Sequence, residues 1–147
     1  MTYVTNTDIE ERLGTAAHIQ LTDDSGSGSA DLDKIDEARA GAEGEANSYF
    51  ASRYKVPIDA TGEPQVLAAI KSVVLDLIAY RLPGRRPPIP ADIVRRRSEA
   101  IAWLAQVGLG AVHLPSAIAL AENPAGGIVI ETSGPARVMT RDSLQNI

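Results

Sequence analysis

Residues 64–82, PQVLAAIKSVVLDLIAYRL, constrain the fold more than any other stretch of the chain. Val66, Leu67, Ile70, Val73, Val74, Leu77 and Ile78 recur at the three- and four-residue steps of one helical face. Ala68, Ala69, Leu75 and Ala79 cover most of the remaining surface, so Lys71, Ser72 and Asp76 form only a narrow polar strip. A helix this apolar must be surrounded on most sides by other elements. Glu63 and Pro64 suit its first turn, and Pro83-Gly84 stops it because proline cannot continue a helix. The stretch predicts the central helix of a helical domain.

The rest of the chain supplies candidates to surround it. Thr7-Asp8-Ile9-Glu10-Glu11 reads as a short capped helix ending at Gly14, followed by a brief apolar link over 16–21 that contains His18. With no metal-ligating neighbour near it in the sequence, His18 is read as a surface or core residue rather than a ligand. Residues 31–54 read as a long helix with Leu32, Ile35, Ala42, Ala46, Tyr49 and Phe50 on one stripe. Its middle is small (Ala40, Gly41, Ala42, Gly44, Ala46), which permits close approach by a neighbour at some cost in helix propensity. Arg39 and Arg53 lie within the stripe and each needs a carboxylate or carbonyl partner. A third long helix is expected over 90–107, opened by Pro90 and closed at Gly108, with Ile93, Val94, Ala100, Ile101 and Leu104 on one face. Arg97 projects from that face, and Asp76 is its expected partner. Trp103 lies at the edge of the face near Arg96, within reach of a cation–π contact.

Between these helices lie two irregular segments. TDDSGSGSAD, residues 22–31, is a polar, glycine-punctuated loop. Aligned to a calcium loop from Asp23, it places Lys34 where a bidentate glutamate is required, so it reads as a flexible turn that caps the next helix. RLPGRRPPIP, residues 81–90, is a proline-stiffened connection that presents Arg81, Arg85 and Arg86, and loss of Arg85 or Arg86 from this exposed segment should cost little stability. From Leu109 onward, glycines and prolines recur too often for a long helix. Residues 117–121 have room for one short turn. Residues 128–132 and 136–140 flank Ser133-Gly134-Pro135 like two short strands, but a lone hairpin is marginal in water. The closing Arg137, Arg141, Asp142 and Leu144 offer two cations, an acid and an apolar anchor to another chain.

The expected architecture is therefore mainly α. It is a small helical bundle over 1–108, with a short N-terminal helix and three longer ones, and a C-terminal extended arm over 109–147 containing a short β-hairpin. A chain of 147 residues fits one domain, which at that size buries roughly 68–70% of its unfolded surface. The first fourteen residues carry neither a basic nor an apolar signal region, so no secretory leader is expected. Residues 100–121 carry no acidic or basic side chain except His113 and follow Arg95-Arg96-Arg97, in the manner of a membrane span. Gln106, His113, Pro115 and Ser116, together with the amphipathic start of the segment, argue against that reading, and no membrane partner is expected.

The composition excludes several chemistries. The chain has no cysteine, so disulfides, thiolate metal sites and cysteine nucleophiles are ruled out. Its net charge of −5 argues against general nucleic-acid affinity, and its six aromatic residues are too few for a base-stacking platform. Phosphate-cradling, dinucleotide-binding and nucleophile-elbow motifs are absent. An enzyme reading would have to rest on Asp23, Asp24 and His113, on polar and solvated surface. The residues point to a binding or structural protein with no catalytic, cofactor or metal site.

Several stretches together resemble one family. They are Leu21-Thr22-Asp23 with its Gly-x-Gly loop, Ala46…Tyr49-Phe50-Ala51…Arg53-Tyr54…Pro57-Ile58, Ile78-Ala79-Tyr80-Arg81-Leu82, the run from Arg95 to Leu104, and the closing run from Ala136 to Leu144. In order and spacing they resemble the Mu-type head–tail connector (neck, or head-completion) proteins of tailed phages. Two departures stand out: the loop often rich in Asp is rich in Ser here, and the 81–90 connection and the Gly-rich stretch before the hairpin are longer. The resemblance implies a homo-oligomeric ring, usually of twelve copies, in the virion neck after assembly in the host cytoplasm. Such a ring contacts the portal protein above and a stopper or tail protein below, and genomic DNA passes through without sequence readout. Another neck or tail-completion component with a similar helical core is the alternative. The residues expected at partner interfaces are Arg81, Arg85, Arg86, Arg96, Trp103, Arg137, Arg141, Asp142 and Leu144.

Overall fold

A computed structural model of the chain describes residues 2–115 and 117. Among these residues the protein is helical: α1 (Asn6–Leu13), α2 (Thr15–Thr22), α3 (Leu32–Phe50), α4 (Pro64–Arg81) and α5 (Ala91–Leu109), with a 3-10 turn at Pro83–Arg85. The expected hairpin, the short turn at 117–121 and the interface residues Arg137, Arg141, Asp142 and Leu144 fall outside the described residues, except that Ala117 itself is described.

Helix α4 is the centre. It buries Val66, Ile70, Val74, Leu77, Ile78 and Ala79. Helices α3, α4 and α5 pack against one another, while α1 packs on α4 and α2 on α3. From α3 come Ile35, Ala42, Ala46 and Phe50, from α5 Ala100, Leu104 and Val107, and from α1 Ile9. The start of α4 is less enclosed than its composition implies, for Leu67 is 38% exposed and Ala68 faces solvent. Only the later turns of α4 lie deep among the other helices.

The N-terminal region differs from expectation. There are two short helices, because the 15–22 segment is helical rather than a link. Gly14, at φ 81°, ends α1 by donating its N–H to the Glu10 carbonyl, and its own carbonyl receives the His18 N–H that opens α2. A residue at positive φ can turn the chain between two helices without a connecting loop, and glycine does so at no steric cost. Thr5 caps α1, exchanging hydrogen bonds with Asp8 in a capping box.

The long helices are shifted by small amounts. Asp31 caps α3 by accepting from the Asp33 and Lys34 amides, and α3 stops at Phe50. Its Leu32 is 58% exposed and not part of the stripe. Tyr54 is nevertheless buried, and its hydroxyl accepts from the Leu114 N–H, so the core reaches past α5 to Leu114. Pro90 caps α5 rather than occupying its first position, and Val94 is exposed. Gly108 lies inside α5, where a Cβ would come within 3.2 Å of the Tyr49 carbonyl oxygen. Gly110, left-handed at φ 81°, is the residue that ends the helix.

The buried-edge arginine finds a different partner from the one expected. Asp76 faces α1 and pairs with Arg12 at 2.5 Å, beside a second tie from Lys71 to Asp8. Arg97 instead reaches Glu45 on α3 at 3.3 Å and stacks over the Tyr80 ring at 4.5 Å. The other Glu45 oxygen accepts from Arg81 at 2.8 Å, so one carboxylate joins α3, α4 and α5. The small middle of α3 makes this possible: a Cβ on Gly41 would sit 2.9 Å from the Arg81 guanidinium. Trp103 lies edge-on to Phe50, with ring centroids 6.4 Å apart, and the cation–π contact is made by Arg97 with Tyr80 and not by Arg96 with Trp103.

Glu45→Gln should therefore lower stability by about 1–3 kcal/mol, because two guanidinium groups lose their charged acceptor. Glu99→Gln, which breaks only an exposed pair with Arg95, should stay within about 0.5 kcal/mol. Urea unfolding monitored by circular dichroism separates the two, and equal midpoint shifts would contradict the junction described here.

Candidate functional site

The loop over 23–31 and the connection over 83–90 meet, which the sequence reading did not anticipate. Asp24 accepts from Lys34, Arg85 and Arg86 together. The same three cations also hold the end of α2. Arg85 donates to the Leu21 carbonyl at 3.2 Å, Arg86 to those of Gln20 at 2.9 Å and Asp23 at 3.3 Å, and Lys34 to that of Thr22 at 3.2 Å. The last turn of α2 contains no basic residue of its own. Its unpaired carbonyls, which carry the negative end of the helix dipole, are met by side chains from α3 and from the proline-rich connection.

Asp23 works differently. Its carboxylate accepts from the backbone N–H groups of Ser25, Ser27 and Gly28, the last at 2.7 Å, and so organises the loop from within. Gly26 and Gly28 both adopt positive φ, which lets their amides turn inward toward it. The Gly28 and Ser27 amides hold the Asp23 carboxyl down at about 2. Lys34, then Arg85 and Arg86, push Asp24 well below the usual carboxylate range, and Asp24 and Asp31 raise Lys34 in return. Two carboxylates held ionised in this way are poorly suited to proton transfer near neutral pH. Their oxygens are also already engaged, and among the described residues no group of three or more acidic or histidine side chains is placed to hold a metal ion.

The arginines expected at an interface divide into two sets around the 83–90 connection. Arg81 and Arg85 line an open groove of about 500 Å³ with Lys34, Glu37, Tyr80 and Ile89. Arg86 and Arg96 line a second, of about 400 Å³, whose floor is Leu13, Ala17, Leu21 and Ile93. Among the described residues, the ion-pair partner of Arg96 is Asp92, one turn earlier on α5. Trp103 packs, partly buried, against the edge of the core. Arg85 and Arg86 are tied into the fold rather than free on an exposed segment, so their loss should cost more than the sequence suggested. Lys34 and Asp24 were missed as members of the cluster, since acid–acid pairs in Ser-rich loops read as solvated surface.

The described residues define a small helical protein whose polar clusters tie helices together and leave a partly exposed face where Lys34, Arg85 and Arg86 meet Asp24. A family model described as bacteriophage Mu, Gp36 matches residues 3–131, which include all five helices. The chain belongs to that family. Membership makes it a Mu-type phage protein of the structural or morphogenetic kind. No individual curated protein matches the chain significantly. Among the described residues no helix is long and apolar enough to cross a membrane.

Because the folded-state carboxyls of Asp23 and Asp24 lie below their unfolded values, their contribution to the loop is complete above about pH 4. The part due to Asp23 should be lost as pH falls from there toward about 2, and the part due to Asp24 at still lower pH. In a proton NMR titration, the Ser27 and Gly28 amides should shift with a midpoint near 2. A midpoint near that of a free aspartate, about 3.9, would contradict the arrangement.

Proposed function

We propose that the protein is a head–tail connector, a ring-forming adaptor between the portal and the tail of a tailed phage. The observation that carries this reading is the family match over residues 3–131, joined to the ordered set of stretches that resemble connectors. The helical core and the acidic balance of the chain are compatible with a ring whose channel passes DNA without holding it. In this reading the core, residues 1–108, forms the body of a twelve-copy ring. The arm expected over residues 109–147, whose first residues close on the core through Leu114, docks with its remainder on a neighbouring copy or on the stopper or tail protein below, and the ring resides in the virion neck. Arg81, Arg85, Arg86 and Arg96 lie on the partner-facing side of the core, with Arg137, Arg141, Asp142 and Leu144 serving the arm. The reading requires no catalytic step and no cofactor.

Negative-stain imaging of the purified protein, alone and mixed with portal particles, tests the proposal. Rings seated coaxially on the portal are expected. Particles that bind isolated tails and leave portals bare would overturn the connector role in favour of a tail-completion component.

A further inference from the structure

We infer that Lys34, Arg85 and Arg86 form a binding site for an acidic side chain of a partner protein, which the chain's own Asp24 fills in the isolated subunit. This site stands independently of where in the particle the protein sits. Its first support is that the cations have two kinds of partner. The carbonyls of residues 20–23 orient all three of them, whatever Asp24 does. When Asp24 turns away, the two guanidinium groups and the ammonium remain aimed at one point, a geometry matched to a carboxylate.

The second support is charge. Lys34, Arg85 and Arg86 gather three cations at one place in a chain that is acidic as a whole, and among the described residues their ion-pair partners are Asp24 and Asp31. The third is exchangeability. Asp24 and both arginines are partly exposed, and water-accessible ion pairs are weak enough for an incoming carboxylate to replace one like it. Asp23 is anchored by the loop's own amides, so the loop keeps its shape when Asp24 leaves. Arg85 also lines the groove that holds Tyr80 and Ile89, which gives a chain carrying the acid a surface beside the site.

A protein carboxylate fits better than nucleic acid. Asp23 and Asp31 stand beside the cations in the same loop, and with the net charge of −5 they repel a polyanion that must run across the face. A single side chain occupies only the place Asp24 leaves.

The test uses the full chain, its Asp24→Asn variant, and a variant that adds Arg85→Gln and Arg86→Gln. Acetyl-hexaglutamate amide and a short DNA duplex serve as probes in fluorescence anisotropy at low salt. Asp24→Asn removes an internal competitor and should bind hexaglutamate about tenfold tighter than the natural chain, and the added arginine changes should abolish the gain. In the natural chain, the Arg85 and Arg86 side-chain N–H resonances should shift on titration with hexaglutamate. Equal affinities of the natural chain and Asp24→Asn with helical content retained, or arginine resonances that do not move, would overturn the site. Tighter binding of the duplex than of hexaglutamate would overturn its assignment to a protein partner.

Discussion

The structure depends on the burial of one helix. The later turns of α4 bring Ile70, Val74, Leu77 and Ile78 into full enclosure, and each such side chain is worth about 1.5–3 kcal/mol relative to exposure. No single neighbour covers that surface. Helices α3 and α5 take most of it, and α1 closes a further side through Ile9. The ion pairs lie at the rims of these contacts, where they set helix rotation more than they add stability. Glu45, shared between Arg81 and Arg97, fixes α3, α4 and α5 about their axes. Arg12 with Asp76 and Lys71 with Asp8 do the same for α1 on α4.

Function follows from what this packing leaves over. Once α3, α4 and α5 have satisfied one another, the proline-rich connection after α4 is carried across the end of α2. There Arg85 and Arg86 meet carbonyls and Asp24. The fold thus places a basic segment on an acidic protein at a partly open face flanked by two grooves. In the connector reading proposed above, such a face serves contact rather than chemistry.

The parts legible in the sequence were those written as periodicity and punctuation. Helix α4 spans Pro64–Arg81 because an apolar repeat sits between two prolines, and α3 and α5 were visible for similar reasons. Helix α2 was not, since its eight residues have no side-chain cap and are too few for a periodic signal to emerge. The partner of Arg97 was also illegible. Asp76 and Glu45 are equally plausible acids in one dimension, and the choice depends on how α4 rotates relative to α1. Leu32 shows the reverse failure, as its spacing fits the α3 stripe but it lies at a helix end that no neighbour covers. The cluster at Asp24 joins it to Arg85 and Arg86, 61 and 62 positions further along the chain, and nothing local to either segment announces the other.

Native-state hydrogen exchange tests the central claim, that a buried α4 carries the fold while the end of α2 is held by hydrogen bonds from the partly exposed Lys34, Arg85 and Arg86. Amides of residues 70–78 should exchange only through global unfolding and respond weakly to salt. Amides at the end of α2 should open at lower free energy, and faster at about 1 M salt, where screening reaches contact distances. Amides of α2 as protected as those of α4 and indifferent to salt, or α4 opening first, would contradict the account.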